Sequence, residues 1–282
     1  MSEAIVVRNV TKKFSSQYQP SRRWSPATGL PGHSLAFGAN STFSALEDVA
    51  FRVPAGEIFG VVGPHGAGKT TLVHLLGGLL PPDNGTIQLF GYDVVRQAAQ
   101  ARALTNRISG QASFFQRLSA LENLAYSANQ AGMSGQKARQ HATEILAQLG
   151  AQPHEMNLPL VAVSRSMYQK VALVNALVFH PRLLLLDEPF HGMALSDHKR
   201  ARKLLQALSE RENITILYAT RDYAEARQFC NRLIQLESGR IVGEEKPQIQ
   251  AAQPNIPGPR PDWIGKIHDS IPHSKVSQEE LV

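Results

Sequence analysis

Residues Gly63–Thr70 have the sequence GPHGAGKT and lie between the apolar segment IFGVV and a segment with helical periodicity. They satisfy the pattern G-x-x-x-x-G-K-[ST], in which a glycine-rich turn presents successive backbone N–H groups to a phosphate chain. The helix that follows adds the positive end of its dipole to the same place. This strand-to-helix setting favours a nucleotide's phosphates over the alternative, a purely structural glycine-rich turn.

The chemistry of the loop predicts which ligands it holds. Lys69 is expected to bridge phosphate oxygens, and the Thr70 hydroxyl to coordinate Mg²⁺. ATP and Mg²⁺ are therefore the predicted ligands. The predicted nucleotide-binding residues of the loop are Gly63, Pro64, His65, Gly66, Ala67, Gly68, Lys69, Thr70 and Thr71.

A second acidic motif follows a very apolar strand, in the segment LLLLDEP at residues 183–189. Asp187 is expected to reach the carboxyl edge of the sheet beside the loop and to bind Mg²⁺. Glu188 is then placed to polarise an attacking water as a general base. The alternative is two acids that merely start a surface loop.

The order of apolar strands and helical segments predicts an α/β fold. We expect a P-loop NTPase with a parallel-rich central sheet, an antiparallel β subdomain and an inserted helical subdomain over about 112–166. One domain covers residues 1–244, with an inserted loop over 15–44, and a Pro- and Gln-rich tail covers 245–282. The predicted helices span Lys69–Leu80, Val94 to about Arg107, Ala120–Gln130, Gln136–Leu149, about Met167–Phe179, Asp197–Arg211 and Tyr223–Phe229.

The charge, cysteine content and apolar runs of the chain limit which classes of partner and which cellular compartment are expected. The net charge is +6, but Lys and Arg are scattered and form no basic block, so no nucleic-acid partner is expected. The single cysteine, Cys230, excludes an internal disulfide and fits a reducing compartment. No apolar run approaches the ~18 residues of a membrane-spanning helix, so any membrane association is expected to come through a partner.

The loop together with LLLLDEP resembles the nucleotide-binding subunits of ATP-binding cassette (ABC) transporters, over about residues 4–244. The resemblance implies a homodimer or heterodimer of such subunits, bound to separate transmembrane permease subunits on the cytoplasmic face of the cell membrane. Gln111 resembles the family's Q-loop glutamine, which contacts Mg²⁺ and the attacking water. Phe14 lies where the family places a ring against adenine; Tyr18 competes for that role, and a core role for Phe14 is equally favoured.

The segment SFFQRLSALENL, residues 113–124, is similar to the ABC-2-type export branch, which includes drug and polysaccharide exporters. The resemblance therefore implies transport out of the cell.

Three motifs depart from the family pattern. Where the family has a signature resembling LSGGQ, whose residues contact the nucleotide of the opposite subunit in trans, this chain has Ser164, Arg165 and Ser166. Side chains thus replace two glycines at a point of close approach, although the charge of Arg165 is able to compensate. Ala194 stands at the aspartate of the family's G-L-D pattern. Nearby Asp197 is interpreted as a helix N-cap in preference to a shifted interface aspartate.

The third departure is at the family's switch histidine, where this chain has Arg221. A guanidinium binds phosphate but offers no acceptor nitrogen to the catalytic carboxylate. His65 and His191 are possible substitutes, but a packing role is favoured for both.

These features lead to a first hypothesis of an ATPase subunit with impaired turnover that energises an exporter through nucleotide-driven dimer closure. The expected catalytic residues are Glu188, Gln111 and Arg221, and the expected metal-binding residues are Thr70, Gln111 and Asp187. The alternative is a regulatory ATP-binding module with little hydrolysis, paired with an active cassette. A soluble ABC ATPase of translation or DNA maintenance is less favoured, because the chain has one cassette and no heptads.

Overall fold

The structure is a computed structural model that describes residues 2–16, 41–108, 114–130, 132, 134–178 and 180–247. The strands are β1 Glu3–Ser16, β2 Ser41–Pro54, β3 Ile58–Val62, β4 Asn84–Leu89, β5 Tyr92–Asp93, β6 Thr105–Ile108, β7 Leu183–Asp187, β8 Thr215–Thr220, β9 Arg232–Glu237 and β10 Arg240–Glu245. The helices are α1 Lys69–Leu76, α2 Ala98–Ala103, α3 Ala120–Gln130, α4 Gly135–Gln148, α5 Pro153–Met156, α6 Arg165–Val178, α7 Leu195–Glu212 and α8 Tyr223–Phe229, with a 3₁₀ turn at Leu160–Ala162.

Two sheets organise these elements. The central sheet has the order β10-β9-β3-β8-β7-β6, and all its pairs are parallel except β10 with β9. The second sheet is antiparallel, in the order β2-β1-β4-β5. The α/β class, the parallel-rich central sheet and the antiparallel β unit predicted from the sequence are confirmed.

The central sheet is buried on both faces, as parallel sheets generally are. In β7, Leu183 and Leu185 belong to the apolar cluster that contains α1 and the antiparallel sheet. Leu184 and Leu186 alternate with them and belong to the cluster that contains α3, α4 and α6. Burial on both faces explains why this strand is a continuous apolar run rather than an alternating one.

This topology determines where the site forms. Strand β8 lies between β3 and β7 and pairs parallel with both. The carboxyl ends of the three strands therefore point to one edge of the sheet. Gly63 follows β3 and Asp187 ends β7, so the loop and the acidic motif emerge side by side there.

The prediction of one long helix from Val94 to about Arg107 is wrong. The segment from Val94 to about Arg107 contains only the short helix α2, and Thr105–Ile108 forms strand β6 instead. β6 pairs parallel with β7, and the Asn106 amide donates a hydrogen bond of 2.9 Å to the Ala176 carbonyl oxygen. Local propensity was overridden here because an open edge of the buried sheet offered backbone partners.

Two predicted boundaries also shift. Helix α1 ends at Leu76 rather than Leu80, because Gly77 caps it and Gly78 follows with a φ of 64°. The strands β1 and β2 include Ser15–Ser16 and Ser41–Ser44 from the range predicted as a loop, and residues 17–40 lie outside the described part. Strand β10 includes Glu245, the first residue of the range predicted as a tail. Residues 248–282 lie outside the described part of the chain.

None of the helices in the described part of the chain has both the length and the apolar character needed to cross a membrane.

Candidate functional site

The phosphate loop connects β3 to α1 through two glycines with left-handed backbone conformations. Gly66 has a φ of 79° and Gly68 a φ of 104°. A Cβ at Gly68 would lie 2.4 Å from the Ala45 carbonyl oxygen, whereas a Cβ at Gly66 would meet no atom within 4 Å. Gly68 is therefore required by the close approach of β2, and Gly66 faces open space where a ligand has room to approach the backbone.

Lys69 is the buried cation of the loop, with 6% of its surface exposed. Its Nζ donates hydrogen bonds to the carbonyl oxygens of Gly63 at 2.7 Å and Pro64 at 2.9 Å. Burial lowers the pKa of Lys69, and the carboxylates of Glu188 and Asp187 oppose that shift. The ammonium group is thus held against the loop and within the field of both acids.

Asp187 meets the requirement for a metal-binding group. Its Oδ1 is buried and has no hydrogen-bond partner among the described residues. An orphaned carboxylate oxygen is costly unless a cation or water satisfies it. Thr70 lines the same cleft as Asp187, so the donor set of one hydroxyl and one carboxylate fits Mg²⁺ with its remaining positions filled by water and phosphate oxygens.

Glu188 is held in an unusual backbone conformation. Its φ is 48°, and its N–H donates a hydrogen bond of 2.9 Å to the Ala219 carbonyl oxygen. Its Oε1 accepts a hydrogen bond of 3.0 Å from Arg221 Nε, which is also an ion pair. The expected general base is therefore engaged by the residue that replaces the switch histidine.

A cleft of about 640 Å³ brings most of the predicted site together. The predicted site residues that line it are His65, Gly66, Ala67, Gly68, Lys69, Thr70, Thr71, Arg165, Asp187, Glu188 and Arg221. Phe14, Gly63, Pro64, Ser164 and Ser166 are not among its lining residues. Gln111 lies outside the described residues.

The aromatic ring at this cleft belongs to Phe43, a residue that the sequence analysis missed. Phe43 is 57% exposed, and Phe14 stacks against it with ring centroids 5.7 Å apart. The two residues are cross-strand partners in the β1–β2 pair, so the Phe14 ring packs against the Phe43 ring and stabilises its position. The antiparallel pairing of β1 with β2 is the signal that locates Phe43 beside Phe14. Tyr18 lies outside the described residues.

The signature segment begins helix α6 and is tied to its own chain. Ser164 Oγ accepts a hydrogen bond of 3.1 Å from the Met167 N–H, as an N-cap does. Ser166 Oγ donates a hydrogen bond of 2.7 Å to Asp197 Oδ2. Arg165 lines the nucleotide cleft of its own chain.

The interpretation of Asp197 as a helix N-cap is wrong. Ala194 occupies the N-cap of α7, and Asp197 lies in the first turn. The Asp197 carboxylate pairs with Lys170 Nζ at 2.8 Å, with exposed side-chain fractions of 9% and 6%. It also accepts a hydrogen bond of 3.2 Å from Arg200. Asp197 therefore joins α7 to α6 through a buried ion pair that sequence spacing alone did not reveal.

The packing role favoured for the two histidines is also wrong. His65 and His191 are both exposed, and both line the cleft. Exposure at the phosphate loop and after Glu188 leaves both imidazoles available to a ligand.

Comparison with known proteins agrees with this geometry. The family described as ABC transporter matches residues 46–191. The ABC transporter ATP-binding protein NatA of Bacillus subtilis (strain 168) is 31% identical over 199 residues, which cover 70% of this chain and 80% of that protein. A dimeric ATP-binding cassette in a post-hydrolysis state, bound to ADP and Pi, superposes with a TM-score of 0.70 at 25% identity, covering 86% of this chain and 98% of the other. The predicted P-loop NTPase fold is confirmed.

Other relatives carry import in their names. The Fe(3+) ions import ATP-binding protein FbpC 1 of Rhizobium meliloti (strain 1021) is 34% identical over 212 residues, 75% of this chain and 59% of that protein. The spermidine/putrescine import ATP-binding protein PotA of Protochlamydia amoebophila (strain UWE25) is 33% identical over 241 residues, 86% of this chain and 57% of that protein. This chain thus spans less than two thirds of these relatives, and their names do not fit the predicted export branch.

Proposed function

This chain belongs to the ABC transporter family, which matches residues 46–191, and on that premise we propose that it binds MgATP and energises a transporter whose membrane-spanning subunits are separate polypeptides. The observation that carries the proposal is the single cleft shared by the phosphate loop, Asp187 and Glu188. Such a cleft has the backbone donors, the lysine and the two acids that phosphoryl transfer requires.

Each group of the cleft has one role in this proposal. The amide groups of the loop and Lys69 bind the β- and γ-phosphates, while Thr70 and Asp187 hold Mg²⁺. When bound, the metal neutralises charge that develops on the phosphate oxygens. Glu188 accepts a proton from the attacking water, and Phe43 stacks on the base. Gln111 lies outside the described residues, and its role as a metal-binding group rests on the family resemblance alone.

Slow turnover is the finer part of the proposal, and the Arg221–Glu188 ion pair supports it. Glu188 Oε1 accepts the hydrogen bond from Arg221 Nε at 3.0 Å, so the guanidinium occupies an oxygen that would otherwise accept a proton from the attacking water. Arg221 also lacks the acceptor nitrogen of an imidazole. ATP is therefore expected to bind well and to be hydrolysed slowly.

We place the chain at the cytoplasmic face of the cell membrane, as a dimer with itself or with a second cassette. Closure of the dimer on ATP is then passed to the permease subunits through the region of Gln111. Transport outward rests on residues 113–124 alone, and the relatives named for import do not support it. Uptake and efflux assays on membrane vesicles that contain the permease separate the two directions.

A regulatory module with little hydrolysis is the second candidate, and the same ion pair favours it. In that case the chain closes on ATP while a paired cassette carries out turnover. Both candidates require MgATP binding, so they differ only in phosphate release.

The binding test uses the full chain and MgATP at millimolar concentration. Lys69→Ala removes the buried ammonium, so we expect affinity for MgATP to fall by about 100-fold. Lys137→Ala removes an exposed lysine of α4 and serves as the matched control. Equilibrium dialysis with radiolabelled ATP measures both variants. Failure of the wild-type chain to retain MgATP, or equal binding by Lys69→Ala, would contradict the proposed function.

A further inference from the structure

The ion pair between Arg221 and Glu188 joins two short connecting segments of the chain. Arg221 lies between β8 and α8, and Glu188 follows β7 directly. The two side chains are 50% and 30% exposed, so water competes for both. An exposed ion pair loses side-chain entropy when it forms, so it contributes little unless the surrounding backbone fixes its partners. The contacts that fix these two segments therefore decide how firmly Arg221 binds Glu188.

The segment that carries Arg221 is attached to the first turn of α8. The Asp222 N–H donates a hydrogen bond of 3.1 Å to Thr220 Oγ1. Asp222 Oδ1 accepts a hydrogen bond of 2.8 Å from the Glu225 N–H and so caps α8. Because these bonds leave no free length of chain between β8 and α8, a movement of the first turn of α8 also moves Arg221.

Glu225 attaches this first turn to the interior of the protein. Its side chain is 14% exposed, and its Oε1 lies 3.4 Å from His198 Nδ1 of α7. Its Oε2 accepts a hydrogen bond of 2.6 Å from the Tyr218 hydroxyl of β8. Burial, together with the Glu225 carboxylate, raises the pKa of Tyr218, so the phenol keeps the proton that it donates. Glu225 thus connects α8 with both β8 and α7.

Tyr218 also contacts the segment that carries Glu188. The Tyr218 side chain is 1% exposed, and its ring centroid lies 5.6 Å from that of Phe190. Phe190 is two residues after Glu188, is 3% exposed and also packs against the His198 ring at 5.3 Å. Tyr218 therefore lies between the segments of the two ion-pair partners.

We propose that Glu225 is a positioning residue that, by binding Tyr218, fixes α8 so that Arg221 stays paired with Glu188. A hydrogen bond from a hydroxyl to a carboxylate is short and stronger than one between neutral groups, which suits it to fixing a short helix. Glu225 acts through Arg221 and has no assigned contact with a nucleotide. Its consequence for turnover rests on the proposed function, whereas its effect on Arg221 does not.

The experiment measures hydrogen exchange at Arg221 Nε–H by heteronuclear NMR of the arginine-labelled full chain, without nucleotide. This N–H donates to Glu188, so we expect its exchange with water to be slowed, and the signal is identified by its loss in Arg221→Lys. Glu225→Ala removes the attachment of α8, so exchange should become about tenfold faster. Glu225→Gln keeps an acceptor oxygen for Tyr218 and should restore most of the protection.

The chain offers controls for a general loss of structure. Arg232 Nε–H donates a hydrogen bond of 3.0 Å to Glu57, which precedes β3 at the end of the strand opposite the phosphate loop. Its exchange should stay at the wild-type rate in every variant. Glu210→Gln changes an exposed acid of α7 and is the matched substitution. Tyr218→Phe combined with Glu225→Ala leaves no buried hydroxyl without an acceptor and should match Glu225→Ala alone.

The exchange rates decide the positioning role. Faster exchange at Arg221 with Arg232 unchanged supports it. Equal exchange at Arg221 in wild type and Glu225→Ala overturns it. Faster exchange at both arginines in Glu225→Ala shows that the whole fold has loosened, and this result overturns it as well.

Phosphate release in membranes that contain the permease subunits tests the consequence for turnover. Freeing Glu188 from Arg221 should raise kcat of Glu225→Ala about threefold, with KM for MgATP changed less than about twofold. Faster exchange without faster release supports the positioning role and contradicts the slow-turnover part of the proposed function. Absence of MgATP binding by the wild-type chain contradicts the proposed function itself, while the exchange rates, measured without nucleotide, still decide the role of Glu225.

Discussion

Two regions of the molecule meet at the cleft, and they differ in how many residues of the ABC family motifs they retain. The phosphate-binding region, Gly63–Thr71 with Asp187, keeps every expected residue and presents open space at Gly66. The interface region, formed by residues 163–171, 191–197 and 220–222, replaces the signature glycines, the interface aspartate and the switch histidine. The chain therefore keeps the residues predicted to bind a nucleotide and changes those to which the family resemblance assigns dimer closure and hydrolysis.

The substituted region is nevertheless ordered by contacts of its own. Lys170 pairs with Asp197 in the interior, and Arg221 pairs with Glu188 at the cleft. Both pairs join residues of the same chain. Interactions within the chain thus occupy side chains in a region that, by resemblance, serves the partner subunit.

The largest expected effect tests whether turnover survives at all. Glu188→Gln removes the proposed general base, so phosphate release should fall about 10²–10⁴-fold while MgATP affinity changes by less than about threefold. Release is measured in membranes that contain the permease subunits. The exposed Glu210→Gln of α7 provides the control. If wild type and Glu188→Gln release phosphate equally slowly, the regulatory module replaces the ATPase.

The next effect concerns stability in the interface region. Lys170→Ala leaves the buried Asp197 carboxylate without its main partner, so the free energy of unfolding should fall by about 3 kcal/mol or more. Urea unfolding measures the change. Lys199→Ala, on the exposed side of α7, should change it by less than about 0.5 kcal/mol. Equal stability of the two variants would show that the ion pair contributes nothing net.

The third prediction is a faster rate of phosphate release when the switch position is restored to histidine. Arg221→His breaks the ion pair with Glu188 and supplies an imidazole acceptor, so phosphate release should rise about tenfold. Arg227→His alters an exposed arginine of α8 that pairs with Glu245 and is the matched control. No rise in release with Arg221→His would argue that the switch position does not limit turnover.

The smallest effect concerns the base. Phe43→Ala should weaken MgATP binding about fivefold, because stacking of an aromatic ring on a nucleobase contributes about 1–3 kcal/mol. Phe14→Ala removes the supporting ring and should have a smaller effect, while Phe43→Tyr should bind like wild type. If Phe14→Ala weakens MgATP binding more than Phe43→Ala does, Phe14 of β1, and not Phe43, contacts the base.

Features that depend on a few neighbouring residues were predicted from the sequence, whereas features that depend on contacts between distant residues were not. The phosphate loop and LLLLDEP are local patterns with a fixed chemistry, and the structure brings them to one cleft. Strand β6 and the cleft position of Phe43 depend on pairing between distant strands. The Asp197–Lys170 pair joins residues 27 positions apart on two helices, so no periodicity within either helix indicates it.

The sequence by itself determined the α/β fold, the nucleotide loop and the two adjacent acids, because glycine conformations, apolar runs and the fixed spacing of the loop motif act over a few residues. Only the tertiary structure decided which aromatic ring reaches the cleft, where Asp197 binds and that Arg165 packs against Gly192. Those outcomes depend on how strands and helices from distant parts of the chain are placed together. Burial and charge then select partners that sequence neighbours do not specify.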